Sequence, residues 1–227
     1  MPLDVDQTTS VQKTVRSLLK KTGRIDVLIN NAGWGAFGAI EEFTDAEVKA
    51  QYETNVFGLM RVTRAVLPTM RSQGSGRILN VGSVAGHITF AGIGLYSSTK
   101  HVVNAITESL RLELRPFNIQ VTAIEPGQIH TRFKDNRRQN IAFKNGKSLY
   151  GKILQGVLEY GDRKSAKAPG PEMVAKVIWK ALNDRRMSTS YPVGSDARFY
   201  PFIQRFLPDL LYDRVMDFVY SRFKRAS

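Results

Sequence analysis

The sequence predicts an α/β protein with a parallel sheet covered on both faces, and three observations carry that expectation. Four apolar runs of strand length are bounded by turn residues. Longer segments of helical period separate them, in strand–helix alternation. The runs are continuously apolar rather than alternating, as strands buried on both faces require.

Taken in chain order, the first helical segment is Val11 to Lys20, with Val11, Val15, Leu18 and Leu19 at core spacing. The first strand is IDVLIN (25–30). Asp45 to Met70 is long enough for two helices or one broken one, and RILNVGS (77–83) is the second strand. Ser97 to Leu114 carries Val102, Val103, Ile106, Leu110 and Leu114 on one stripe, and IQVTAIE (119–125) is the third strand. The stretch from Phe133 to Gly170 is polar, basic and dotted with glycine, so it reads as a flexible lid over a cleft or as a disordered excursion. Pro171 to Leu182 is helical with proline in its first turn, and STSYPV (188–193) is a weaker fourth strand. In such sheets ligands sit at the carboxyl ends of the strands.

Composition narrows the functions. With 42% hydrophobic and 23% charged residues the chain is of ordinary globular type. No run approaches 18 apolar residues, and MPLDVDQTTS lacks the form of a signal peptide, so a cytoplasmic location is expected. There is no cysteine, which excludes disulfides, thiolate metal sites and cysteine nucleophiles. His87, His101 and His130 have no metal-ligand spacing, so no metal is expected. The net charge is +13 and uneven: residues 1–127 hold 13 Lys/Arg against 11 Asp/Glu, residues 128–227 hold 20 against 9. A basic half suits nucleic acid, an anionic membrane surface, an anionic ligand or simply a solvated surface; no nucleic-acid module accompanies it, so no nucleic-acid partner is expected.

Two motifs bear on chemistry. GWGAFG (33–38) matches G-x-G-x-x-G literally, but the strand ending in an acidic residue about 20 positions on is missing, and the match is rejected. LYSSTKHVVN (95–104) is more informative, because Tyr96 and Lys100 stand four apart on one helical face. A cation beside a phenol should lower its pKa from about 10 and make it a usable general acid/base. Ser83, at the end of the second strand, can hold a substrate oxygen beside that phenol. Asn55, an amide inside a helical segment, has the look of a residue with a hydrogen-bonding task.

With these residues in place the chain resembles a classical short-chain dehydrogenase/reductase. The matching motifs are NNAG (30–33), N-V-x-G (55–58), the serine of VGS (81–83), Y-x-x-x-K (96–100) and PGxIxT (126–131), in the family's order. The resemblance implies a Rossmann-like doubly wound parallel sheet in one domain over 1–227. It implies an NAD(P)-dependent oxidoreductase that interconverts an alcohol and a ketone or aldehyde. Tyr96 would be the proton donor and acceptor, Lys100 would lower its pKa and hold the nicotinamide ribose, and Ser83 would bind the substrate oxygen. Asn55 would order a water that relays protons to Lys100. Asn31, Ala32 and Gly33 would line the adenosine-ribose side, Asp4 would meet the adenine, and Pro126, Gly127, Ile129 and Thr131 would touch the nicotinamide. NADP is favoured over NAD as cofactor. A homo-oligomer is expected, and WGAF (34–37), HITFAGIGL (87–95) and the lid suit a hydrophobic carbonyl or alcohol of steroid, retinoid or acyl-ketone type.

The sequence departs from the family at its start, where the glycine-rich T-G-x-x-x-G-x-G turn and the first two strands and helices are lacking. It therefore reads as an N-terminally truncated copy of an enzyme or, alternatively, as a non-catalytic form that acts as a binding or interaction protein. The tail at 200–227 is amphipathic and basic, with Leu207, Leu211, Val215 and Val219 repeating every four residues. It would pack over the substrate pocket, make a subunit contact, or dock peripherally on anionic lipid.

Overall fold

All four expected strands join one parallel sheet in the computed structural model, which describes residues 1–206 and 208–224 and, at 202–205, 209, 215, 218, 219 and 222–224, the backbone alone. The elements in chain order are α1 (Thr8–Thr22), β1 (Val27–Asn30), β2 (Ala36–Phe37), α2 (Asp45–Tyr52), α3 (Leu59–Gln73), β3 (Gly76–Val81), α4 (Gly94–Glu113), β4 (Ile119–Pro126), β5 (Arg138–Gln139), α5 (Ile141–Lys144), α6 (Gly151–Ala166), α7 (Glu172–Asn183), β6 (Ser190–Val193), α8 (Ser195–Phe206) and α9 (Asp209–Lys224). The main sheet runs β1-β3-β4-β6, and every pairing in it is parallel.

At β3 and β4 both faces of the sheet are covered, as the apolar runs imply, whereas in β1 Val27 and Ile29 remain 40% exposed. Ile78 and Leu79 are neighbours in β3 and point to opposite faces. Ile78 joins Val11 and Val15 of α1, Val62, Val66 and Met70 of α3, and Val121 of β4. Leu79 joins Ile124 of β4, Val193 of β6 and Ala181 of α7. Proline at 192 is tolerated because β6 is paired on one side only.

Between β1 and β3 the long helical segment is neither two separate helices nor a simple break. A capping box of Thr44 and Glu47 opens α2, and a π-helical turn at Glu53–Gly58 runs directly into α3. Such bulges insert a residue and re-aim side chains, often at functional sites.

The segment at 133–170 is more ordered than its glycines suggest. It holds β5, α5 and the 16-residue α6. β5 pairs in parallel with β2, so the segment is sewn to the loop after β1. Leu154 of α6 is buried at 1% exposure and approaches Gly92, where a Cβ would lie 2.6 Å from the Phe37 ring. That close packing decides the matter against a disordered excursion. The tail is helical as α8 and α9, and α9 lies against α6. Tyr220 accepts from Ala91 N at 2.9 Å, which brings α9 to the 87–95 loop. Leu207 of the expected stripe lies outside the described residues, and for Val215 and Val219 only backbone is described.

A chain of buried amides and hydroxyls crosses the core. Asn30 Nδ2 donates to Thr63 Oγ1 (3.0 Å) and to Asn80 Oδ1 (2.8 Å), and Asn80 Nδ2 donates to Thr107 Oγ1 (2.9 Å). It ties β1 and β3 to α3 and α4. Asn80→Ala removes the acceptor of one buried donor and the donor of another, so it should destabilise the fold by about 2–3 kcal/mol. Urea denaturation of the two proteins measures that difference.

Candidate active site

Helix α4 begins where chemistry begins. Tyr96 lies in its first turn and Lys100 one turn on, both facing the carboxyl ends of β3 and β4. Lys100 is buried at 7% exposure, and its Nζ donates to Val81 O at 2.8 Å. Ser83 follows β3 directly. Its Oγ accepts from Ala85 N (3.1 Å), approaches Pro126 O (3.4 Å) and interacts with the Tyr96 phenol. Ser83, Tyr96 and Lys100 are thus brought together.

Electrostatics differs from the expectation in one respect. Burial pushes the Tyr96 phenol up to about 12, and the Ser83 hydroxyl pulls it back only in part. Burial likewise pushes Lys100 down to about 8. The ammonium lies over the Tyr96 ring, 5.7 Å from its centroid, with a proton on Val81 O, and does not offset the phenol's desolvation. The expected lowering of the tyrosine pKa by lysine is therefore absent from this arrangement. Desolvation, which penalises the charged form of each group, is the main cause of both shifts.

Asn55 sits in the π turn with its amide engaged on protein. Its Nδ2 donates to Trp34 O (3.0 Å) and Thr99 Oγ1 (3.1 Å), and its Oδ1 accepts from Trp34 N (3.1 Å). Sequence reasoning missed the partner of this residue. Gln51 is fully buried, donates to Trp34 O (2.8 Å) and accepts from Ala36 N (2.6 Å). The four-residue spacing of two amides on one helical face was the available signal. Asp196 was also missed: its Oδ2 accepts from Gln128 N at 2.6 Å and braces the loop after β4.

The remaining expected residues divide. Asn31, Ala32 and Gly33 are exposed at the end of β1. A Cβ on Gly33 would lie 3.1 Å from Asn55 Oδ1 and 3.9 Å from Lys100 Nζ, so this backbone belongs to the cluster. Pro126 ends β4, and Gly127, Ile129 and Thr131 lie in the loop after it, with Gly127 N bonded to Val193 O (3.0 Å) and Ile129 packed on the β6 side of the core. Thr131 Oγ1 accepts from Phe133 N, and the Phe133 ring lies on Tyr96 with centroids 5.4 Å apart. Asp4 is different: it is exposed, and its Oδ1 accepts from Asp6 N in a tight turn before α1. Among the described residues no group of side chains has the composition of a metal site.

The geometry fits the nicotinamide end of a dinucleotide. Lys100 has three N–H donors and one described acceptor, which leaves two for ribose hydroxyls. Gly33, with no side chain, lets the backbone come close to it.

Comparison with known proteins agrees with this architecture. The family model described as short chain dehydrogenase matches residues 1–142. A 3-ketodihydrosphingosine reductase of Bacteroides thetaiotaomicron is 43% identical over 135 residues, covering 60% of this chain and 50% of its own. The crystal structure of a short-chain dehydrogenase from Streptomyces avermitilis superposes with a TM-score of 0.77 at 30% identity, covering 99% of this chain and 80% of that one. A serine dehydrogenase in complex with NADP+ superposes at 0.71 with 30% identity, covering 84% and 73%.

The buried lysine makes a stability prediction. Its folded pKa lies below the unfolded value of about 10.4, so its burial costs stability at neutral pH and the cost fades as pH rises from about 8. Lys100→Met should raise stability at pH 7 by about 2 kcal/mol while removing any activity. The gap between variant and wild type should narrow from pH 8 to pH 10, as read by thermal unfolding.

Proposed function

The chain belongs to the short-chain dehydrogenase/reductase family, and on that premise we propose that it interconverts a hydrophobic alcohol and its ketone or aldehyde, with Tyr96 as general acid/base. The family makes it an oxidoreductase that uses a nicotinamide cofactor. The observation that carries the finer reading is the convergence of the Tyr96 phenol, the Ser83 hydroxyl and the buried Lys100 at the carboxyl ends of the strands.

Each side chain has a part. Ser83 donates a hydrogen bond to the substrate oxygen and holds it beside the phenol. Tyr96 gives its proton to that oxygen in reduction and recovers it in oxidation. Lys100 would bind the nicotinamide ribose, and a filled site would turn its ammonium from Val81 O toward the new hydroxyls. Asn55 and Gln51 hold the Trp34–Ala36 backbone, and with it Gly33, at the ribose side. Gly127, Ile129 and Thr131 would meet the nicotinamide amide. The cofactor, when bound, supplies the hydride. Of the two nicotinamide cofactors, NADP suits the basic chain better, since its extra phosphate adds negative charge.

The apolar substrate class rests on the Phe133 ring lying against Tyr96, and the 3-ketodihydrosphingosine reductase relative acts on a compound of that kind by name. A homo-oligomer working in the cytoplasm, with peripheral contact of the tail with a membrane surface, completes the reading. Among the described residues no helix is long and apolar enough to cross a membrane.

Tyr96→Phe is the direct test. It should lower kcat by about 10²–10⁴-fold on long-chain ketones and leave NADPH binding within about twofold, read by cofactor fluorescence. A variant that keeps more than about a tenth of wild-type kcat would refute the proton-transfer role.

A further inference from the structure

A short 3-10 turn carries Ser83. Its residues, Val84–Gly86, are closed by Gly86 N on Ser83 O (2.9 Å) and His87 N on Val84 O (3.0 Å). Two adjacent residues at the end of β4 brace this turn. Pro126 O meets Ser83 Oγ at its near end (3.4 Å), and Glu125 Oε1 meets His87 Nε2 at its far end (2.7 Å). The Glu125 side chain is 8% exposed, the His87 side chain 39%. From α4, Asn104 Nδ2 donates to Gly86 O (3.1 Å), and its Oδ1 is buried without a partner. The turn is therefore gripped by polar contacts, and one of them involves a buried carboxylate. Such a group is costly to bury unless an opposite charge pairs with it. His87 is the only ion-pair partner of Glu125 among the described residues.

We propose that His87, as its imidazolium, is a positioning residue: its ion pair with Glu125 clamps the Ser83 turn to the end of β4 and fixes where the serine hydroxyl meets the substrate. This rests on the reading of Ser83 given above. The clamp acts through backbone. His87 and Ser83 are the two ends of one turn, and Glu125 and Pro126 are consecutive residues of one strand, so a loosened far end shifts the near one.

The electrostatics supports the charged form. The hydrogen bond with Glu125 raises the His87 pKa above the ordinary imidazole value, burial opposes that rise, and the Glu125 charge adds to it. Glu125 is the one charged group that faces the ring from β4, and α4 presents the neutral Asn104. α8 also packs on the turn, but no charged side chain of it lies within ion-pair distance of His87 among the described residues. Because the folded pKa is raised, the clamp is fully formed below about pH 6.5 and is lost as pH rises through the folded value.

Histidine side-chain NMR of the full 227-residue chain tests this, together with the backbone amide of Ala85, which donates to Ser83 Oγ. His87 should titrate above about 6.5, and the Ala85 resonance should follow the same curve. Glu125→Gln should bring His87 to about 6.5 or below and flatten the Ala85 response. His87→Gln, which keeps a neutral donor, should lower kcat on the order of tenfold and remove one ionisation from its pH profile. A His87 that titrates at about 6.5 or below in the wild type, or an Ala85 amide that ignores it, overturns the proposal. If the wild type shows no turnover but His87 and Ala85 titrate together, the clamp stands and the catalytic reading falls. If Tyr96→Phe abolishes turnover while His87→Gln changes neither kcat nor its pH profile, the catalytic reading stands and the clamp falls.

Discussion

Two side-chain amides, Gln51 and Asn55, hold the loop after β1 by its own backbone, and the site is built outward from that grip. They satisfy Trp34 N, Trp34 O and Ala36 N where no strand is available to do so. A buried loop must find such partners for its peptide groups. The π turn makes this possible by placing Asn55 where its amide also reaches Thr99, one residue before Lys100. The loop after β1 and the helix that carries the tyrosine are thereby set relative to each other. Apolar packing by itself, being non-directional, would leave that relation loose.

The cost of the site appears in its ionisable groups. A tyrosine pushed up to about 12 and a lysine pushed down to about 8 are both held in surroundings that penalise charge. Surrounding structure must outweigh that penalty, and it does so with the buried Asn30–Asn80–Thr107 chain and a two-faced apolar core. Strain of this kind is common at functional sites, where geometry is held against local preference.

The segment between β4 and α7 joins the site from the other side. Its β5 completes a two-residue ladder with β2, Arg138 lies over the Trp34 ring at 4.2 Å, and Phe133 covers Tyr96. It is thus attached to the loop that Gln51 and Asn55 hold.

How much of this was legible in the sequence follows from the range of the interactions. RILNVGS and IQVTAIE are legible because a strand buried on both faces must be apolar throughout, and IDVLIN because its apolar run has strand length, although Val27 and Ile29 stay exposed; both are local properties. The pairing of Tyr96 with Lys100 is legible because helical spacing puts them on one face. The partnership of Gln51 with Trp34, the brace of Asp196 on Gln128 and the order of α6 are not, because each depends on residues from 15 to 68 positions apart. The tyrosine's pKa was misjudged for the same reason. Spacing shows that a lysine is near, but only the packed structure shows that its ammonium turns to Val81 O and that burial raises the phenol's pKa. The sequence by itself determined the strands, their order along the chain and the candidate site residues, since periodicity and residue chemistry are written locally. Tertiary structure alone decided the charge states and the exact aim of those groups, because desolvation and hydrogen-bond direction exist only once distant segments have closed around them.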